Sequence, residues 1–268
     1  MCLVAFAYRT DLVINSGFDL VLIANRDEFF NRPAEPAHFW KDTPGVLAGR
    51  DIQAGGTWMG VARDGRFALL TNYRDPSRIR TNVKSRGLLV SDFLSSGVSA
   101  REYLESMRAH AGDYNDFNLL AGSPDGIFSF SSRGNQVKGS EIQQINPGLY
   151  GMSNHLFETP WPKVVRARTG LKKALEEKRD QELKEKLFQT LADPTPAPDE
   201  ELPETGVGLE KERALSSIFI TLPGYGTRCS TLLLMKPDGE IEYSERTFHP
   251  DRSISPLTVD FNFLKRRL

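Results

Sequence analysis

The 268-residue sequence contains only two cysteines, Cys2 and Cys229. Two cysteines cannot build the disulfide framework of a small secreted protein, and they fit a reducing compartment. Neither has another cysteine or a histidine at the spacing of a zinc site, so no metal site is predicted. The scarcity of cysteine therefore favours a cytoplasmic protein without disulfides.

The sequence also lacks an excess of charge of either sign and any long apolar run. It has 34 Lys and Arg against 35 Asp and Glu, so no overall field attracts nucleic acid or an anionic membrane. No stretch approaches the roughly 18 apolar residues of a membrane span, and Arg9 and Asp11 interrupt the first apolar run. We expect no transmembrane segment, no secretory leader, and a small molecule or another protein as partner.

Cys2 directly follows the initiator methionine and opens an apolar strand at 2–9. Methionine is normally trimmed ahead of a small residue, and loss of Met1 would make Cys2 the first residue. A terminal cysteine carries a nucleophile and a base together, because its α-amine has a pKa of roughly 7.7–8.0 and can take the thiol proton. A nearby arginine is expected to lower the pKa of such a thiol. The alternative is a small buried hydrophobe, the usual role of a free cysteine.

Apolar periodicity and turn residues predict groups of strands that alternate with pairs of helices. Strands at 2–9 and 18–25 come first, and Asp64-Gly65 marks a hairpin between 56–62 and 66–72. Two short helices are predicted next, at 86–96 and 100–111, and then a second set of strands at 117–121, 127–130 and 149–154. Two longer helices at 162–178 and 181–192 are followed by a loop at 193–212 and by final strands at 216–222, 229–236 and 240–247.

This order of segments predicts an α+β fold, arranged as a four-layer α-β-β-α sandwich. In such a sandwich the first strand is central and its terminus lies in the cleft between the sheets. Ser99 and Glu102 are spaced as a capping box, and Gly112 is placed to end the same helix. We expect a single domain over 1–268, with the Pro-, Glu- and Gly-rich stretch 193–212 as a mobile loop.

Polar residues cluster where four predicted strands end. Taken singly each cluster is explained as a turn, because Asn, Asp and Gly are favoured there for backbone reasons. Taken together, and with the segment Gly55-Gly56-Thr57-Trp58, they closely resemble the NRDE (transport and Golgi organisation 2) family from Met1 to about Phe248. The motifs that carry the resemblance are Asn25-Arg26-Asp27-Glu28, Leu70-Thr71-Asn72-Tyr73, Tyr150-Gly151-Met152-Ser153-Asn154 and Pro223-Gly224-Tyr225-Gly226-Thr227-Arg228.

That family is similar to the N-terminal nucleophile (Ntn) hydrolases, nearest to the cysteine-type amidases exemplified by bile-salt hydrolase and penicillin V acylase. The resemblance implies an Ntn-type sandwich and hydrolysis of a carbon–nitrogen bond of a small acyl substrate without a cofactor. By motif, Cys2 corresponds to the nucleophile and Arg26 and Arg228 to the two arginines. Asn72 and Asn154 correspond to the two asparagines, whose amides would stabilise an oxyanion.

The acid of the implied site is assigned to Asp27, whose short side chain at the strand exit can be held against the terminal amine. The alternatives are Glu28 or neither residue, because the amidases carry their acid a few residues beyond the arginine, whereas both carboxylates here follow Arg26 at once. A purely structural interpretation is that Arg26 and Arg228 form buried ion pairs with these two carboxylates.

The resemblance also implies an alternative function in which the cleft binds a ligand without hydrolysis. Members of the family have been implicated in haem trafficking and, more loosely, in acyl-lipid and coenzyme A metabolism. A haem carrier would use Cys2 or a histidine as the axial ligand, with nearby aromatic residues against the macrocycle. The candidates are Phe29, Phe30, Phe39, Trp40 and Trp58. A structural adaptor is a third interpretation, which leaves the polar clusters without a common explanation.

Overall fold

The computed structural model describes residues 2–133, 142–177, 181–251 and 253–266. The strands in these ranges are β1 (Cys2–Tyr8), β2 (Leu20–Phe29), β3 (Ala34–Phe39), β4 (Val46–Asp51), β5 (Met59–Ala62), β6 (Phe67–Asn72), β7 (Phe117–Ser123), β8 (Gly126–Ser131), β9 (Gln143–Ile145), β10 (Gly148–Met152), β11 (Thr221–Leu222), β12 (Tyr225–Met235), β13 (Glu240–Thr247) and β14 (Leu257–Leu264). The helices are α1 (Asp11–Ile14), α2 (Gly87–Ser96), α3 (Ala100–Arg108), α4 (Pro162–Glu176), α5 (Gln181–Leu191) and α6 (Leu209–Ala214).

The chain forms two compact units. Unit 1 comprises Met1–Asn31, Pro147–Ser153 and Glu158–Phe263, and unit 2 comprises Arg32–Asn146, Asn154–Phe157 and Leu264–Leu268. Each unit contains a seven-stranded sheet.

The sheet of unit 1 has the order β10-β1-β2-β12-β13-β14, with β11 paired to β12. The pairings of β1 with β10 and β2, and of β12 with β2 and β13, are antiparallel. Helices α4 and α5 cover one face, where alternate strand residues such as Leu3, Ala5 and Ile23 pack against Leu171 and Leu187. The residues between them, Val4 and Phe6 among others, belong to the opposite face because strand side chains alternate. That opposite face carries Cys2.

Helices α4 and α5 pack closely. Pro162 occupies the first turn of α4, where its missing N–H costs nothing. At Gly170 an added Cβ would meet Thr190 Cγ2 at 2.4 Å, so the absence of a side chain there allows the two helices to approach each other.

The sheet of unit 2 has the order β3-β4-β5-β6-β7-β8-β9, with antiparallel pairings throughout. Helices α2 and α3 cover the face that carries Leu70, Leu119 and Phe128. The hairpin predicted at Asp64-Gly65 is confirmed as β5–β6, and Gly65 has the positive φ of 90° that such a turn requires.

The predicted α+β class is confirmed, and the two sheets and two sets of covering helices that an α-β-β-α sandwich needs are present. Within the described residues, no helix is long and apolar enough to cross a membrane.

Some local predictions are wrong. The Ser99 cap is confirmed, since its hydroxyl accepts from the Glu102 N–H at 3.2 Å, but α3 ends at Arg108 and Gly112 lies in a following 3-10 turn. The strand predicted at 216–222 is reduced to β11, and β3, β4 and β14 were not predicted. The stretch 193–212 contains a 3-10 turn and the start of α6, and the Thr205 N–H donates to Glu212 Oε1 at 2.9 Å. Its mobility stays a prediction.

Candidate active site

Cys2 lies at the start of β1, in a row of three residues that crosses the sheet of unit 1. In the antiparallel pairings Cys2 is opposite Arg26 of β2, and Arg26 is opposite Cys229 of β12. Directly opposed residues of antiparallel strands project on the same face. This face is the one that α4 and α5 do not cover, because Leu3 and Ala5 point to those helices. The structure therefore brings the predicted nucleophile and the first predicted arginine together.

The environment of the Cys2 thiol differs from the expectation. Cys2 is half-buried, and its pKa is raised rather than lowered. Burial is the largest cause, and the charges of Asp27 and Glu28 also raise it. The chain's amino terminus and Arg26 lower it without compensating fully. Arg26 lowers the pKa of this thiol, as predicted, but the loss of solvent outweighs the neighbouring cation, so the net shift is upward.

The prediction that the segment Asn25-Arg26-Asp27-Glu28 ends its strand is wrong. Strand β2 continues to Phe29, so successive side chains in the segment point to opposite faces. Arg26 and Glu28 share the face of Cys2, and Asn25 and Asp27 belong to the face that carries α4 and α5.

Asp27 is buried on that helical face, with only 1% of its surface exposed. Its Oδ1 accepts a hydrogen bond from Thr227 Oγ1 at 2.7 Å, and Thr227 is its partner in the β2–β12 pairing. The charge of Asp27 nonetheless raises the pKa of Cys2 more than that of Glu28 does. The assignment of Asp27 as site acid stays a prediction, with Glu28 on the same face as the thiol as its competitor.

Arg228 is the extra residue of a β-bulge in β12. Thr227 pairs with Asp27 and Cys229 pairs with Arg26, which leaves Arg228 without an opposite residue on β2. Its Nη1 donates to the Phe29 carbonyl at 2.7 Å, and its guanidinium lies 5.8 Å from the centroid of the Phe30 ring. Bulges re-aim side chains and are frequent beside functional sites. The second predicted arginine thus belongs to unit 1 and lies at the end of β2.

The two predicted asparagines are brought together within unit 2. Asn72 is the last residue of β6, and Asn154 is completely buried. The Asn154 side-chain amide donates to the Asn72 carbonyl at 2.9 Å, and the Arg74 N–H donates to the Asn154 carbonyl at 2.7 Å. One amide hydrogen of Asn154 is therefore committed to the backbone of its partner. The proposed role of both amides as oxyanion donors stays a prediction from the resemblance.

Sequence reasoning gave no role to two residues that the structure connects to this region of unit 1. Ser153 Oγ donates to the Cys2 carbonyl at 2.9 Å. Asn25 donates to the Leu191 and Ile218 carbonyls at 2.8 and 2.9 Å and accepts from Ser230 Oγ at 2.6 Å. The signal for Asn25 was an amide inside an otherwise apolar strand, which needs buried partners. It fastens the end of α5 to the sheet.

The aromatic residues proposed for a haem site are divided between the two units. Trp40 is 3% exposed in the core that α2 and α3 cover, and its Nε1 donates to the Ala48 carbonyl at 3.0 Å. Phe29, in unit 1, is 57% exposed and contacts Tyr225 edge-on. Trp40 does not fit the wall of a macrocycle, because its ring is already packed in a helical core.

Comparison with known proteins places the chain in a family. The model of the family "Transport and Golgi organisation 2" matches residues 1–250. The Transport and Golgi organization protein 2 homolog of Bos taurus is 36% identical over 92% of this chain and 93% of its own length, and that of Homo sapiens is 34% identical over the same shares. Among solved structures, a Caenorhabditis elegans N-acylethanolamine-hydrolyzing acid amidase ortholog is similar at 11% identity and a TM-score of 0.48, covering 88% of this chain and 93% of that one. The family predicted from the sequence motifs is confirmed, and the chain belongs to the Transport and Golgi organisation 2 family.

Proposed function

We propose that this protein is an amidase or acylase that hydrolyses the carbon–nitrogen bond of a small acyl substrate, with Cys2 as the N-terminal nucleophile after removal of Met1. The observation that carries the proposal is the register of β1 and β2, which sets Cys2 beside Arg26 on the face that α4 and α5 do not cover. Cys2 is half-buried as a residue, whereas Cys229 of the same row is buried.

In the proposed reaction the Cys2 sulfur attacks the amide carbonyl carbon and forms a C–S bond. The free α-amine of Cys2 takes the thiol proton and passes it to the leaving nitrogen as the C–N bond breaks. Water then attacks the thioester, with the same amine as base, and releases the acid. Because burial keeps the pKa of the thiol high, little thiolate exists beforehand at neutral pH. The mechanism therefore depends on the amine as base.

Other groups of the proposed site would orient the nucleophile and stabilise the charges that form during the reaction. Ser153 holds the carbonyl of Cys2 through its hydroxyl, which restricts the backbone of the nucleophile. Arg26 supplies positive charge beside the sulfur. The roles of Asn72 and Asn154 as oxyanion donors follow from the resemblance, and loss of one such donor typically costs about 10²–10³ in kcat.

The first experiment combines intact mass with turnover. We expect the mass to show loss of Met1, and turnover of a panel of N-acyl amides by the wild-type protein. Cys2→Ala is expected to lower kcat by at least about 10³-fold. Cys229→Ala is the matched control, since it removes the other thiol of the same row, and it should retain activity within a few-fold. Retained Met1, or turnover that survives in Cys2→Ala, contradicts the proposal.

A reducing, cytoplasmic location is part of the same proposal, and the two free cysteines support it. Haem carriage stays a prediction of the resemblance, and no step is derived through haem. A haemin titration monitored at the Soret band tests it, with saturable binding tighter than that of an albumin control as the supporting result.

A further inference from the structure

A polar row crosses the sheet of unit 2 at a place where apolar residues are expected. Asn118, near the start of β7, is opposite Thr71 of β6 and Ser131 of β8. Asn118 and Thr71 are 2% and 0% exposed. Their neighbours Leu70 and Leu119 point to α2 and α3, so the row lies on the other face of the sheet. Buried asparagine is uncommon and needs partners for its amide.

The hydrogen bonds of Asn118 fix the orientation of its amide. Its Nδ2 lies 2.8 Å from the His155 carbonyl oxygen and 3.0 Å from Thr71 Oγ1. A carbonyl only accepts, so the nitrogen must face His155. Asn118 therefore donates both hydrogens, one to the neighbouring strand and one to the backbone directly after Asn154. Its Oδ1 is buried and has no hydrogen-bond partner among the residues that the structure describes. An unpaired buried acceptor lowers the stability of the fold.

Three other contacts join the segment 154–155 to the same strand ends. The Arg74 N–H donates to the Asn154 carbonyl, and Asn154 donates to the Asn72 carbonyl. The rings of Tyr73 and His155 lie 4.9 Å apart. Residues 154 and 155 are thus clamped on both sides, and Asn118 supplies the contact that comes from β7.

We propose that Asn118 is a positioning residue that fixes the backbone at 154–155 and so orients the amides of Asn154 and Asn72. The inference rests on the proposed amidase function for its catalytic consequence, and on the hydrogen bonds of unit 2 for its structural part. Asn118 acts through the His155 carbonyl and does not touch the substrate. Substitution of a residue that merely fills the core would change stability, but it would not lower kcat while leaving KM nearly unchanged.

Asn118→Asp is the variant that tests this role, because it keeps the shape and removes both donated hydrogens. The ionised carboxylate would face the His155 carbonyl with an acceptor, whereas the protonated carboxyl can donate to it. With an N-acyl p-nitroanilide panel as the probe, we expect kcat to fall about 10- to 100-fold with KM changed less than about threefold. The deficit relative to wild type should narrow as the pH falls. Ser129→Ala is the control, since Ser129 is a buried polar residue of the same sheet at 5% exposure, and it should behave as wild type.

Hydrogen exchange of the backbone at 150–158, measured without substrate, tests the structural role of Asn118 separately from its catalytic consequence. The clamp predicts faster exchange there in Asn118→Asp than in wild type or Ser129→Ala, whether or not the wild type turns over the probe. If the wild type is inactive on the whole panel while exchange follows this pattern, the amidase proposal fails and the clamp stands. Unchanged exchange in Asn118→Asp, or equal loss of kcat in Ser129→Ala, overturns the role of Asn118.

Discussion

Cys2 and Cys229 lie at opposite ends of one row, on either side of Arg26, yet their thiols are in different environments. Cys2 begins its strand and is half-buried, whereas Cys229 lies inside β12 and is 2% exposed. Burial raises the pKa of both thiols, and for Cys229, where the carboxylate of Glu245 adds to the effect, it does so to well above the ordinary value. Since the same arginine lies beside both, the position in the strand and the Glu245 carboxylate are what distinguish the two thiols.

The row also holds the two cysteines too far apart for a disulfide. Adjacent strands are about 4.8 Å apart, so the backbones of β1 and β12 are roughly 10 Å apart across β2. A disulfide requires Cα atoms within about 7 Å. The two cysteines therefore cannot form a disulfide across this row, and a reagent can report on each.

The largest expected difference is in alkylation by iodoacetamide. In the folded protein Cys229 should react roughly 100-fold more slowly than Cys2, because its thiol is buried inside the strand and holds its proton more firmly. The rate at Cys2 should continue to rise with pH beyond the ordinary thiol pKa of about 8.5, since a raised pKa delays thiolate formation. Peptide mass mapping over a pH series measures both rates.

Unfolding in urea provides the control for this comparison, and there both thiols should react alike. Comparable rates at Cys2 and Cys229 in the folded protein would show that strand position does not set reactivity, and would remove the reason to prefer Cys2 as the nucleophile.

The sequence predicts more about Cys2, at one end of the row, than about Cys229 at the other. The β1 strand and the proximity of Cys2 to Arg26 follow from local patterns and from the resemblance. The direction of the thiol pKa does not, because it depends on depth of burial, which no local pattern contains. Cys229 received no role, and its alignment with Arg26 appears only when the register of β2 and β12 is known.

The segment Asn25-Arg26-Asp27-Glu28 explains the main misprediction. Its polar residues indicate the end of a strand when only neighbours in the chain are considered. The strand continues because Asn25 finds the Leu191 and Ile218 carbonyls, and Asp27 finds Thr227. These partners come from distant segments, so only the folded chain reveals that the carboxylates of Asp27 and Glu28 point to opposite faces.

Replacement of the shared cation sharpens the comparison at a smaller scale. Arg26 lowers the pKa of both thiols, so Arg26→Gln should raise the pKa of Cys2 further and slow its alkylation at pH 8 by about three- to tenfold. Cys229 should remain slow in both proteins. Arg9→Gln is the control, because Arg9 lies beyond the other end of β1 and pairs with Asp19 at 3.8 Å. A Cys2 rate that is unchanged in a folded Arg26→Gln protein would contradict the electrostatic role of Arg26.

The smallest expected effect concerns the carboxylates of Asp27 and Glu28. Strand alternation favours one of them as the acid near the thiol, and the effect on the thiol pKa favours the other. Alternation gives Glu28 the face of the thiol, whereas the charge of Asp27 raises the pKa of Cys2 more strongly. We rank Asp27 first, because its charge raises the pKa of Cys2 more than the charge of Glu28 does. Asp27→Asn, which keeps an acceptor for Thr227, should therefore speed Cys2 alkylation at pH 8 by about two- to threefold, and Glu28→Gln should do so by less. The opposite order, measured by the same mass mapping, would transfer the role of site acid to Glu28, since the carboxylate on the same face as Cys2 would then have the larger effect on the thiol.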